Sequence, residues 1–74
     1  MKTLGVVLFH TSSAALRAEK VLLAAGRMVK LIPTPRNLSS DCGISLQFAW
    51  EDRLSIEAHL AGARVEAAAI HPMP

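Results

Sequence analysis

Cysteine occurs once in this chain, at position 42. No internal disulfide can form, and no pair of cysteines is present to anchor a structural zinc ion. Aromatic residues are almost as scarce, with Phe9, Phe48 and Trp50 making up the whole set. An RNA-recognition module displays stacking aromatics within a basic, glycine-rich signature, and that signature is missing. Basic residues form no dense block either. Eight Lys and Arg are interleaved with six acids for a net charge of +2, which argues against nucleic acid as a partner. Gly26, Gly43 and Gly62 are too dispersed to form a phosphate-cradling loop. No apolar run approaches the ~20 residues of a membrane span, so no membrane partner is expected. The run Leu4 to Phe9 is too short for a signal-peptide core, and no small-residue cleavage site follows it. These absences lead to the expectation of a cytoplasmic protein with a reduced thiol. One thiol and a nearby His are too few for a tight metal site, and neither metal nor cofactor is expected.

What is present is apolar: 51% of the 74 residues are hydrophobic. The length predicts a single domain over residues 1–74, near the lower size limit for folding without staples. Its core must come from packing, and exposed strand edges leave room for a homodimer. Leu4 to Phe9 reads as a buried strand. His10-Thr11-Ser12-Ser13 then offers helix N-caps, because a hydroxyl accepts bonds from the first unbonded backbone N–H groups. Ala14 to Ala25 predict a helix, with Leu16, Leu22 and Leu23 beside Ala15 and Glu19 near helical spacing, and Gly26 as its stop. Met28 to Ile32 alternates like a half-exposed strand that Pro33 and Pro35 end. Gly43 to Trp50 alternates again through Ile44, Leu46 and Phe48. Glu51-Asp52 opens a second helix, where acids suit the positive dipole end. That helix carries Leu54, Ile56, Ala58 and Leu60 and stops near Gly62. Arg64 to Ile70 predicts a last strand, and residues 71–74 a frayed tail.

The order strand, helix, strand, strand, helix, strand predicts the α+β class. It suggests a ferredoxin-like βαββαβ sandwich, an antiparallel sheet with two helices on one face. In that topology the loop holding Arg36 and Cys42, the segment His10 to Ser13 and the Gly62 turn share one end of the sheet.

Such an end could suit a nucleophilic thiol. A helix N-terminus, an arginine and a protonated histidine each favour the thiolate, and Gly43 lets a partner or an anionic sulfur group approach the backbone. Asp41 opposes this as a like charge next door. The competing reading makes Cys42 a small, inert first core residue of the third strand. Arg36, in a proline-stiffened loop, could hold an anion or a partner carboxylate, or could simply be a solvated loop residue. His10 could be a base or anion ligand, against an ordinary strand-end histidine. Ser39 and Ser40 read as turn formers. The residues alone leave these alternatives open.

Two segments carry a family resemblance. The first runs Phe9-His10-Thr11-Ser12-Ser13-Ala14-Ala15-Leu16-Arg17-Ala18-Glu19-Lys20 and on to Gly26. The second is Leu31-Ile32-Pro33-Thr34-Pro35-Arg36 followed by Leu38-Ser39-Ser40-Asp41-Cys42-Gly43-Ile44. Together they resemble a family of small bacterial proteins described as selenium/sulfur carrier protein-like, and the likeness spans nearly the whole chain. The resemblance implies that Cys42 bears sulfur or selenium as a persulfide or selenosulfide. A donor such as a cysteine desulfurase would load it and an acceptor enzyme would unload it, a carrier rather than a turnover enzyme. Arg36 and the backbone N–H groups near Gly43 and Ser12 would then stabilise the terminal anion. The alternatives are a non-catalytic module that binds a small anion or a protein, with Cys42 structural and Arg36 recognising the partner, and a redox-sensing thiol.

Overall fold

The computed structural model describes residues 3–38 and 42–73. Its elements are β1 (Leu4–Leu8), α1 (Ser12–Ala24), β2 (Val29–Pro33), β3 (Ile44–Ala49), α2 (Arg53–Gly62) and β4 (Ala69–Pro72), with one 3-10 turn, Trp50–Asp52, leading into α2. The four strands form one sheet in the order β2-β3-β1-β4, and every neighbouring pair is antiparallel. This is the ferredoxin-like α+β arrangement that the element order predicts.

Alternation along the strands decides which residues meet the helices. Register pairs Val7 with Leu46 and Ile70, and Leu31 with Leu46. Val7, Leu46 and Phe48 join Ala15, Ala18 and Leu22 of α1 and Ile56 and Leu60 of α2 in one core cluster. Helix α1 buries a stripe of small residues, whereas Leu16 and Leu23 are exposed at 47% and 54%. Of the three leucines noted near helical spacing, only Leu22 thus turns inward. Spacing of three and four residues selects Ala15, Ala18 and Leu22, and alanines let the helix lie close to the sheet. In α2 the same logic buries Ile56 and Leu60, one turn apart, and leaves Leu54 outside.

Two features of the sheet depart from the sequence reading. Residues 64–68 are not strand; β4 covers only Ala69–Pro72. His71 and Pro72, expected in a frayed tail, pair with Val6 and Gly5, and Met73 N–H bonds the Leu4 carbonyl at 2.7 Å. Pro33 ends β2 as expected, though as its last residue, opposite Ile44, rather than just beyond it. It is tolerated because the inward bond there comes from the next residue, Thr34 N–H to the Gly43 carbonyl at 3.0 Å.

Both helices close with the same double bond. In α1, Gly26 N–H reaches the Leu23 carbonyl and Arg27 N–H the Leu22 carbonyl; in α2, Arg64 N–H reaches Ala61 and Val65 N–H reaches Leu60. These are Schellman caps, which require a left-handed residue just past the helix. Gly26 fills that place at φ 79°, and Arg64 fills the other at φ 57°.

Candidate functional site

The β1–α1 junction, the β2–β3 connection and the α2–β4 connection lie at one end of the sheet, since Leu8 pairs with both Ser45 and Ala69, and Pro33 with Ile44. Thr11 caps α1 there in extended conformation, its hydroxyl accepting from Ala14 N–H at 3.1 Å. That cap sets Ser12 in the first helical turn, with its hydroxyl 3.6 Å from Cys42 Sγ, either atom able to donate. On the other side of the sulfur, Ile44 N–H donates to Sγ at 3.5 Å. Lengths of this order suit the large, diffuse sulfur atom, a weak acceptor as a thiol and a stronger one as an anion.

Cys42 itself is only 4% exposed and belongs to the core cluster. Its carbonyl is held by Thr34, whose hydroxyl donates at 2.9 Å. That bond uses the only proton of the Thr34 hydroxyl, so Ser45, fully buried, donates the 2.8 Å bond between the two hydroxyls. The Thr34–Ser45 pair thereby ties the end of β2 to the backbone that presents the thiol.

The remaining residues named from sequence fall in different surroundings. Arg36 is exposed in the turn closed by Leu38 N–H to the Pro35 carbonyl, and takes no part in the bonds described at the thiol. Gly43 is exposed, and an added Cβ would meet nothing within 4 Å. Neither packing nor a left-handed backbone therefore requires glycine at this place. His10 is exposed and lines a cavity with Thr11, Ser13, Arg17 and Arg64, a cavity that Cys42 and Ser12 do not line. The readings of Ser39, Ser40 and Asp41 lie outside the described residues. Among the described residues no group of three His, Cys, Asp or Glu could hold a metal ion, and no helix is long and apolar enough to cross a membrane.

A larger, apolar concavity of about 450 Å³ lies at the opposite end of the sheet, lined by Leu4, Leu23, Met28 and Phe48 among others. Its lining includes neither Cys42 nor Ser12.

The sequence reading missed Thr34 and Ser45. Their signals were a threonine held between two prolines and a serine inside an otherwise apolar strand, two polar residues that need partners when buried. Arg64 was missed because Gly62, two residues earlier, is the usual helix-ending residue.

A ferredoxin-like sheet with a buried cysteine at the end of its β2–β3 connection, contacted by the first turn of α1, defines the class of protein. The chain belongs to the family described as "Putative Se/S carrier protein-like", whose model matches residues 4–72. No curated protein and no solved structure matches the chain.

Proposed function

We propose that the chain carries sulfur or selenium on Cys42 between a donor enzyme, of the cysteine desulfurase type, and an acceptor enzyme. The observation that supports this most is the surroundings of Sγ, where a hydroxyl at 3.6 Å and a backbone N–H at 3.5 Å converge. In loading, the Cys42 thiolate attacks the outer sulfur of a donor persulfide. A new S–S bond forms at Cys42, the donor's S–S bond breaks, and the donor leaves as a thiolate. Unloading is the same displacement by an acceptor thiolate, with Cys42 as the leaving group. No net oxidation occurs in either step. Selenium follows the same course through an S–Se bond. Ser12 and the Ile44 N–H stabilise the Cys42 thiolate that attacks in loading and leaves in unloading, and the open space at Gly43 gives a partner room to approach. Arg36 and His10, at the same end, meet the anionic groups of the partner.

The test is mass spectrometry of the chain after incubation with a desulfurase and cysteine, then selenocysteine, with Cys42→Ser as control. Adducts of one sulfur or one selenium on the wild type alone are expected. Their absence would put the binding-module reading ahead, in which Cys42 is a packing residue, a role its burial suits.

A further inference from the structure

A cavity of about 310 Å³ opens between the β1–α1 junction and the end of α2, lined by His10, Thr11, Ser13, Arg17, Arg64 and Glu66 among others. It lies beside the thiol's helix turn, and neither Cys42 nor Ser12 lines it. Two guanidinium groups border it. Arg17 is held across the helices by an Nη2 bond to the Ala63 carbonyl at 3.1 Å, which leaves most of its five N–H donors unused. Arg64 projects from the left-handed position of the α2 cap, at φ 57°, where glycine is the ordinary occupant. Neither arginine has a carboxylate partner among the described residues. Glu66 is the one acid in the lining among the described residues.

Two cations that face a common concavity, neither paired with a carboxylate among the described residues, are the complement of an anion, and guanidinium forks match planar pairs of oxyanion oxygens. Glu66 sharpens the class. A carboxylate only accepts hydrogen bonds, so beside it sits an oxyanion that still carries a proton at neutral pH. We propose that this cavity binds a small oxyanion of phosphate type, clamped by Arg17 and Arg64, with Glu66 accepting its hydroxyl. The site does not depend on the chemistry assigned to Cys42.

The test is an amide NMR titration of the full chain with inorganic phosphate, and in parallel with sulfate, at matched ionic strength. Saturable shifts in segments 10–17 and 63–66 are expected with phosphate, and binding about tenfold weaker with sulfate. Arg64→Gly suits the backbone and keeps the fold, and should weaken phosphate binding about tenfold; Arg17→Gln should do the same. Glu66→Gln should narrow the gap between the two anions. Absence of a saturable phosphate shift, or unchanged affinity in Arg64→Gly, overturns the site. Equal binding of sulfate by the wild type overturns the role of Glu66 and with it the phosphate-type ligand. Cys42→Ser, titrated alongside, should bind phosphate as the wild type does. Failure of this site and failure of chalcogen transfer are thereby read separately.

Discussion

Helices α1 and α2 end on the same pair of backbone bonds, yet α1 sets Gly26 in the left-handed position and α2 sets Arg64 there. The two caps lie at opposite ends of the sheet. Around Gly26 the surface is open, with nothing within 4 Å of an added Cβ. At the same end Gly5 lies under the stacked rings of Phe48 and Trp50, whose centroids are 6.0 Å apart. There, positions of special conformation or close approach are given to residues without side chains. At the other end, which holds the thiol, the left-handed position keeps a long cationic side chain beside a cavity. A non-glycine residue in that conformation costs roughly 1 kcal/mol. Identical backbone geometry thus serves only termination at one end, and at the other also positions a guanidinium.

Substitutions can break or sharpen this contrast. The largest effect is expected from Gly5→Ala, because its Cβ would lie 2.6 Å from Phe48 Cζ and 2.7 Å from Trp50 Cε3. A loss of about 3 kcal/mol is expected in urea unfolding; a change near zero would show that the rings move aside freely. At the thiol end, Thr34→Val removes the donor to the Cys42 carbonyl and orphans the buried Ser45 hydroxyl. A cost of about 2 kcal/mol is expected, together with faster alkylation of Cys42 by iodoacetamide as its backbone loosens. Unchanged alkylation would remove Thr34 from the support of the thiol. Next come the caps themselves. Gly26→Ala should destabilise by about 1 kcal/mol, while Arg64→Gly should stabilise by roughly 0.5 kcal/mol, both read as shifts in thermal midpoint. Equal signs for the two changes would undo the comparison. The smallest effect on stability belongs to Ser12→Ala, expected within about 0.5 kcal/mol because the residue is exposed. Its signature is chemical: slower alkylation of Cys42, since a donor to the sulfur anion is lost.

Most of the sheet was legible in the sequence, β1 as a continuous apolar run and β2 and β3 by their alternating patterns. Ile44, Leu46 and Phe48 point one way, and the order of elements then brings Ser12 and Cys42 to one end. What was less legible has physical causes. In α1 the leucines carry the stronger hydrophobic signal, but close approach of helix to sheet favours Ala15 and Ala18 at the contact. Residues 64–68 look like strand by composition, yet the α2 cap uses Arg64 and Val65, and the ladder resumes only with Ala68 N–H to the Leu8 carbonyl at 2.8 Å. At the candidate site, the meeting of Ser12 with Cys42 followed from topology. The hydroxyl pair of Thr34 and Ser45 did not, because it depends on register between strands that no local pattern fixes.

The prolines inside β2 and β4 bear on what the sheet can join. Inward bonds come from Thr34 N–H on one edge strand and Met73 N–H on the other, so by the antiparallel alternation the nitrogens of Pro33 and Pro72 face outward. Each proline deletes a donor from the row that an incoming strand would read, and costs the existing ladder nothing. Both edges are blunted in this way against strand addition. A second copy, or any extended peptide, therefore meets this molecule more readily through its faces or its loop ends than by lengthening its sheet.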